Sequence, residues 1–358
     1  MKTIMIAALA LAGFGSANIS DPAGGAIDRG AQWLVSVQGS DGGWGQDGGA
    51  TSHMRQSERL VSTGNDVANT AVAGLALLKA GHHPARGLHG ASVRKAVEFV
   101  LQSVEASPAQ GIQVTSITGT QIQGKLGPFI DTFLAAQFLA EVDGLMPDTA
   151  RNARVRTALR KCISKIESNQ QKDGSWNTSG AWAPILSTSM ASRGLNAAKS
   201  RGYQVNESVL ARVETYTKNT SGPAGSAGGR GRVADAAAGV DLYKRAQELE
   251  QFSRDEKARR ENARGIQHVV SELRNDRFVA GFGSMGGEEF FSYLNISDSL
   301  HRMGGEEWRK WNGDIKTKLV KLQNQDGSWA GHHCITGRVA VTGAAMLTML
   351  VDRTQARK

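Results

Sequence analysis

The alternation of apolar and polar positions predicts helices along almost the whole chain. Apolar residues recur at three- and four-residue spacings, which is the period of one face of an α-helix. The helical segments fall into six consecutive pairs. They span residues 27–38 and 66–79, 92–105 and 129–141, 149–168 and 185–199, 207–218 and 235–251, 256–273 and 288–303, and 306–322 and 336–352. The sequence therefore predicts an all-α protein.

The two helices of each pair differ in composition. The first is charged and amphipathic, as in residues 155–166 and 315–322, whereas the second is rich in small residues, as in 70–78 and 339–347. An amphipathic helix buries a single stripe, whereas small residues suit a helix that is crowded by neighbours on most sides. This alternation predicts an α/α toroid of about six helix pairs, with outer helices around inner ones. An open α-solenoid is the structural alternative.

A short motif ends three of the predicted outer helices. Its copies are residues 29–44 (RGAQWLVSVQGSDGGW), 170–176 (QQKDGSW) and 323–329 (QNQDGSW). We expect the glutamine of each copy to hydrogen-bond exposed amides at the start of a neighbouring helix. The Asp-Gly pair is expected to reverse the chain and the tryptophan to pack into the seam. The alternative role for Trp44, Trp176 and Trp329 is stacking on a sugar or a lipid.

This motif resembles the QW repeat of the squalene-hopene cyclase and protein prenyltransferase superfamily. The first copy has the full pattern, and the other two keep its Gln-to-Trp end. The resemblance implies an α/α toroid and a secreted bacterial member of the prenyltransferase/squalene-oxidase repeat group. The zinc triad of the prenyltransferases does not carry over, because His332 stands where their aspartate precedes the cysteine. The sequence also lacks the Asp-x-Asp-Asp acid of the cyclases, and its 6% aromatic content argues against cyclisation.

Residues 1–17 are predicted to be a secretory signal peptide. A basic start precedes an apolar run over 3–14 and small residues at 15–17. The alternative is a short buried N-terminal helix. Cleavage would leave residues 18–358 as a single toroid domain, exported to the periplasm or beyond and without a transmembrane anchor. Within this domain, residues 220–232 are predicted to form a flexible Gly/Ser/Arg-rich loop, and 114–123 a small hairpin.

The net charge of +9 is spread over helices that carry both signs. Mixed charge of this kind is typical of solvated helix faces, and no nucleic-acid-binding motif accompanies it. The sequence therefore indicates no nucleic-acid partner. The two cysteines, Cys162 and Cys334, fall in pairs on opposite sides of the ring, so we expect no disulfide between them. Cys162 is expected to be a small buried hydrophobe.

The candidate functional residues lie at the starts of the inner helices. Inner helices of a toroid run in one direction, so their N-termini surround one mouth of a central cavity. The candidates for the cavity or ligand site are Asp66, Asp131, Glu288, Glu289, Tyr293, His332, His333, Cys334, Thr336 and Arg338. Asp66 and Asp131 are equally typical of helix N-caps.

The adjacent histidines and the cysteine at 332–334 form the densest cluster of ligand-type side chains. Imidazole and thiolate bind zinc, and Glu288 or Glu289 could complete such a site, which makes zinc a possible cofactor. The alternatives are a nucleophilic Cys334 and a polar loop that lines the cavity. Two functions stay open. One is binding of an apolar, isoprenoid-like or small ligand. The other is an enzyme of the terpene cyclase or prenyltransferase type with a non-standard site around His332 and Cys334.

Overall fold

The computed structural model describes residues 22–47, 64–176, 184–220, 240–281, 286–332, 335 and 337–353. Within these ranges the chain forms helices joined by loops, and no strand occurs there. In chain order the helices are α1 (Pro22–Ser36), α2 (Val67–Lys79), α3 (Gly90–Ala106), α4 (Gln121–Leu126), α5 (Ile130–Val142), α6 (Thr149–Ser168), α7 (Pro184–Ser200), α8 (Glu207–Thr220), α9 (Val240–Phe252), α10 (Glu256–Glu261), α11 (Ala263–Glu272), α12 (Asp276–Val279), α13 (Gly287–Met303), α14 (Gly305–Leu322) and α15 (Arg338–Met349).

Six of these helices form a closed inner ring. In order they are α2, α5, α7, α9, α13 and α15, each packed against the next, and α15 also packs against α2. Small residues allow this closure. A Cβ added at Gly343 of α15 would lie 2.3 Å from the Cγ1 atom of Val72 in α2. The predicted α/α toroid is therefore confirmed, and the open solenoid is excluded.

The amphipathic helices lie outside this ring. They are α1, α3, α6, α8, α11 and α14, and each packs on one or two inner helices. In α6 the buried stripe recurs at Val155, Leu159, Ile163 and Ile166, at the spacing of one helical face. The outer helix predicted over 256–273 is divided into α10 and α11 at Asn262, whose side chain donates to the carbonyl of Ala258.

Three equivalent turns, which we call clasps, end α1, α6 and α14 at residues 38–44, 170–176 and 323–329. The glutamine Nε2 of each clasp donates to a carbonyl in the first turns of another outer helix. The pairs are Gln38 with Ser92 (3.0 Å), Gln170 with Val209 (3.0 Å) and Gln323 with Ala26 (2.8 Å). The prediction that the glutamine bonds to amides was wrong, because its NH₂ group is the donor and carbonyls accept.

The tryptophan of each clasp is a scaffold residue. Its indole N–H donates to the carbonyl ten residues earlier, at 2.8 Å for Trp44 and 2.7 Å for Trp176 and Trp329. All three rings are at most 1% exposed. Buried rings cannot stack on a ligand, so the predicted packing role is confirmed and the alternative is excluded.

The glycine of each clasp is required by the turn and by close packing. Gly42, Gly174 and Gly327 have φ angles of 89°, 94° and 91°, a region that disfavours other residues. A Cβ at Gly174 would also lie 2.2 Å from the carbonyl oxygen of Arg212 in α8. The Asp-Gly pair therefore reverses the chain directly against the next outer helix.

The predicted hairpin over 114–123 is wrong. Thr120 and Gln123 form a capping box that begins α4, with each side chain bonded to the backbone of the other residue. The β-branched residues before Thr120 lie in an irregular loop. Local capping therefore prevails over the β-propensity of this segment.

Cys162 is a free thiol that is fully buried in α6. Burial raises its pKa to about 12, which keeps it an uncharged apolar side chain, as predicted. Cys334, the predicted signal peptide (1–17) and all but the first residue of the predicted flexible loop (220–232) lie outside the described residues. None of the helices that the structure describes has the length and hydropathy needed to cross a membrane.

Candidate functional site

Two buried carboxylates meet at the N-terminal mouth of the ring, where the inner helices begin. Asp66 is the N-cap of α2, and its Oδ1 accepts from the backbone N–H of Asn69 at 2.8 Å. Asp131, in the first turn of α5, accepts from the backbone N–H of Ala68 at 3.0 Å. Two different inner helices therefore direct their carboxylates to the first turn of α2, as the toroid prediction requires for these two residues.

Side-chain amides complete the environment of this pair. Asp66 accepts from Nδ2 of Asn69 at 2.8 Å, and Asp131 accepts from Nε2 of Gln123 at 2.7 Å. Asp66 is 2% exposed and Asp131 is 1% exposed. Burial, followed by the negative charge of Asp131, raises the pKa of Asp66 to about 7. Burial raises the pKa of Asp131 to about 6, so the pair holds a proton close to neutral pH.

The remaining acidic candidates lie at the start of α13 but face different neighbours. Glu288 accepts from the backbone N–H of Ile335 at 3.2 Å, toward the start of α15. Glu289 lies against the backbone of Gly281, where an added Cβ would come within 2.5 Å of its Oε1 atom. Both side chains are fully buried. The structure therefore does not gather them with Asp66 and Asp131 into one carboxylate cluster.

Tyr293 lies between the inner and outer helices. Its hydroxyl donates to the carbonyl of Val279 at 2.7 Å, and its ring packs 6.2 Å from that of Trp311 in α14. Lys318 of α14 lies 5.2 Å above the same ring. Burial and then the charge of Glu289 raise the pKa of Tyr293. Tyr293 thus holds α12, α13 and α14 together on the outer side of the ring.

Arg338 belongs to the scaffold at the start of α15. Its guanidinium pairs with Asp326 of the third clasp at 2.8 Å and with Asp47 at 3.6 Å. It also lies 5.1 Å above the ring of Trp33. These contacts join the last inner helix to the outer helices, so the side chain is occupied by structural partners.

The predicted cluster at 332–334 is described only at His332, which is exposed. His333, Cys334 and Thr336 lie outside the described residues. Among the residues that the structure does describe, no three His, Cys, Asp or Glu side chains are placed to hold a metal ion. The proposed zinc ligands His332 and Cys334 therefore stay a prediction.

The opposite, C-terminal mouth of the ring contains a cavity of about 750 Å³. It opens between the ends of α7, α9 and α13 and the start of α8. Its lining is mostly charged or amide-bearing. The lining residues are Gln137, Arg193, Asn196, Ala197, Lys199, Ser200, Glu207, Leu210, Ala211, Glu250, Gln251, Arg254, Asp255, Asp298 and Arg302. Sequence reasoning missed this site because it examined only the starts of the inner helices.

A buried polar network fixes the inner wall of this cavity. The guanidinium of Arg193 pairs with Asp298 and donates to Oδ1 of Asn295 at 3.0 Å. Asn295 in turn donates to the hydroxyl of Ser189, which donates to Glu250. Burial raises the pKa of Glu250, although the charge of Arg193 acts in the opposite direction. Side chains from α7, α9 and α13 are thus held in fixed positions around one polar space.

Comparison with known proteins agrees with this architecture. The family model described as the squalene-hopene cyclase C-terminal domain matches residues 3–121. No curated protein matches the chain. An inactive variant of the α-1,6-mannanase GH76A from Salegentibacter sp. HEL1_6, solved with α-1,6-mannotriose, superimposes with a TM-score of 0.61. Its sequence is 10% identical, and the match covers 92% of this chain and 98% of that chain.

A variant of the type II terpene cyclase MstE from Scytonema, solved with geranylgeranyl dihydroxybenzoate, gives a TM-score of 0.39. Its sequence is 11% identical, and the match covers 92% of this chain and 97% of that chain. The mannanase comparison shows the fold, and the family model matches the region that contains the complete QW motif. The chain is thus an α/α toroid that is similar over residues 3–121 to the squalene-hopene cyclase C-terminal domain.

Proposed function

We propose that this protein binds a small polar ligand in the cavity at the C-terminal mouth of its ring. One observation carries the proposal, namely a space of about 750 Å³ walled by charged side chains that a buried network holds in place. The volume is within the range of small-molecule sites, about 300–1,000 Å³. Pre-positioned polar groups of this kind orient a ligand without being reordered when it binds.

The lining favours a polar ligand over an isoprenoid. Ala197, Leu210 and Ala211 are the apolar members of the lining, and most of the others are charged or carry amides. An apolar ligand would remove these polar groups from water without replacing their hydrogen bonds, at a cost of about 1–3 kcal/mol for each group. The mannanase of the same fold is bound to α-1,6-mannotriose, a hydroxyl-rich molecule, which supports the same preference.

Export is part of this proposal. The basic, apolar and small-residue pattern of residues 1–17 supports it. Intact-mass measurement of the protein recovered from the periplasm or medium of an expression host tests it. A mature chain that begins after Ala17 is expected. A full-length chain retained in the cytoplasm would contradict export without affecting the cavity proposal.

Titration calorimetry with three probes tests the ligand class. D-glucose and D-glucuronate represent polar ligands, and farnesol represents isoprenoids. Ala197→Trp fills the cavity, whereas Ala91→Trp makes the same change at an exposed position of α3. We expect a polar probe to bind, and this binding to be lost in Ala197→Trp and kept in Ala91→Trp. Farnesol binding alone, no polar binding, or polar binding that survives Ala197→Trp would overturn the proposal.

A further inference from the structure

One cation of the cavity is held in place without an acidic partner. Arg302, in the last turn of α13, donates from NH2 to the hydroxyls of Ser299 at 3.1 Å and Ser253 at 3.4 Å. Within the described ranges, no carboxylate oxygen lies within 4.0 Å of its guanidinium nitrogens. Its Nε and NH1 atoms make no hydrogen bond there either. The two serines therefore hold the NH2 group of the guanidinium and leave its Nε and NH1 donors available among the described residues.

The other cations of the cavity are already paired. Arg193 pairs with Asp298, and Lys199 pairs with Glu207 at 2.6 Å. Arg254 pairs with Glu214 at 2.7 Å and with Asp255 at 3.2 Å. A ligand anion would compete with an existing ion pair at any of these three, whereas at Arg302 it would compete with none.

Glu250 does not neutralise Arg302 by contact. One of its oxygens accepts from Ser189, and the carboxyl is 4% exposed. Burial also raises the pKa of this carboxyl. Asp298 is directed to Arg193 in α7. Both carboxylates therefore act on the charge of Arg302 from a distance, and neither forms an ion pair with it.

We propose that the ligand carries an anionic oxygen group, a carboxylate or a phosphate, and that Arg302 binds one oxygen of this group through its NH1 donors. A hydrogen bond from a charged guanidinium to an anionic oxygen is about twice as strong as one between neutral groups. The polar lining of α7 and α9 would contact the rest of the ligand. This inference rests on the proposed function, because it names the ligand class of the same cavity.

Three matched probes test the charge. D-glucuronate and D-glucose share one sugar ring and differ by a carboxylate, and D-glucose 6-phosphate supplies a phosphate on that ring. In the wild-type protein, titration calorimetry should show glucuronate or the phosphate ester binding at least about tenfold more tightly than glucose. Whichever acid binds more tightly identifies the source of the anionic group.

Two variants test the residue. Arg302→Gln should reduce the affinity for the acid to that for glucose, and Arg302→Lys should keep only part of it, because an ammonium retains the charge but not the planar donor geometry that the serines hold in place. Arg260→Gln, on the exposed face of α10, is the matched control and should change nothing. Circular dichroism checks that each variant folds.

Three outcomes would overturn the inference. They are equal affinity for glucose and both acids, acid affinity unchanged in Arg302→Gln, and no binding of either acid up to about 10 mM. The first two can occur while Ala197→Trp still abolishes binding, in which case the cavity function stands and the anion inference fails. Binding that persists in Ala197→Trp instead removes the proposed function itself.

Discussion

The two mouths of the ring differ in how their charged side chains are placed. At the N-terminal mouth, Asp66 and Asp131 are buried, are bonded to amides, and have raised pKa values. At the C-terminal mouth, Lys199 and Arg302 stand in the last turns of their helices, beside a cavity that is open to ligand. The first mouth keeps its acids inside the protein, whereas the second places both cations and carboxylates around a space.

This difference follows from the direction of the inner helices. All six begin at one mouth, where free N–H groups favour carboxylates, and end at the other, where free carbonyls favour cations. Lys79 and Arg201, which both pair with Glu141, continue the cationic pattern at the ends of α2 and α7. A parallel ring therefore favours acids at one face and cations at the other, and the carboxylates at the C-terminal face, such as Glu141, are there as partners of these cations.

The largest effect is expected from removing the buried cation of the C-terminal mouth. Arg193→Met would leave Asp298 and Asn295 without their shared partner. We expect the free energy of unfolding to fall by about 2–4 kcal/mol, because breaking a buried pair leaves an uncompensated charge. Urea denaturation measures this loss.

Arg260→Met is the control for this change, because that side chain is exposed and its loss should cost less than about 0.5 kcal/mol. If the two variants were equally stable, the network at the C-terminal mouth would not be structural.

A clasp joins neighbouring outer helices, so its disruption should lower stability. Gly174→Ala combines a φ angle of 94° with a Cβ only 2.2 Å from Arg212 O. A loss of about 2–3 kcal/mol is expected, measured by urea denaturation.

Gly202→Ala separates the cost of the backbone conformation from the cost of the steric contact. Gly202 has a φ of 83° but no neighbour within 4 Å of an added Cβ, so only the backbone cost of about 1 kcal/mol should remain. Equal losses in the two variants would rule out the contact with Arg212 as the cause.

The N-terminal mouth should become less stable as the pH rises. The pKa of Asp66 is about 7 in the folded chain against an ordinary 3.8, so the folded state retains a proton that the unfolded state loses. This stabilising contribution is complete below about pH 4 and is lost as the pH rises through about 7. Asp131, with a pKa of about 6, acts in the same direction.

Asp66→Asn should flatten this dependence. Asparagine is also a good N-cap, and the side-chain amide of Asn69 can flip to present its oxygen, which has no hydrogen-bond partner among the described residues. We expect a gain of about 1–3 kcal/mol at pH 8 and none at pH 4. Urea denaturation at both pH values measures it. An equal change in the free energy of unfolding at both pH values would mean that Asp66 and Asp131 do not titrate between pH 4 and pH 8.

The smallest effect is expected from Glu250→Gln. Glutamine has the shape of the neutral acid and can still accept from Ser189. If Glu250 holds its proton in the cavity, the affinity for glucuronate should stay within about twofold of wild type. A tenfold change in either direction would show that the ionised carboxylate takes part in binding.

Helical periodicity and small-residue alternation were sufficient to predict the ring from sequence. Both patterns report burial, and only a closed ring crowds every second helix. The three clasps could also be predicted, because each is a short motif whose glycine and tryptophan lie only a few residues apart in the sequence. Asp66 and Asp131 could be placed together since both begin inner helices.

Contacts between distant segments could not be predicted in this way. Gln123 contacts Asp131 only because α4 forms where β-branched residues favoured a hairpin. Tyr293 and Arg338 begin or lie on inner helices, yet their side chains reach outer partners. The rotation of a helix about its axis decides which partners its side chains reach. An inner helix is buried on most sides, so its hydrophobic pattern does not determine this rotation. Arg193, Glu250 and Arg302 converge from three helices whose sequences share no motif.

The third clasp has a consequence for how the chain folds. Gln323 bonds to Ala26, 297 positions earlier, and the carbonyl of Arg29 packs on Gly327. During synthesis, α1 must wait for α14 and α15 to leave the ribosome before its outer neighbour exists. The incomplete ring leaves the sides of α1 and α2 that pack on α15 uncovered throughout that interval, and exposed apolar surface of this kind is prone to premature association.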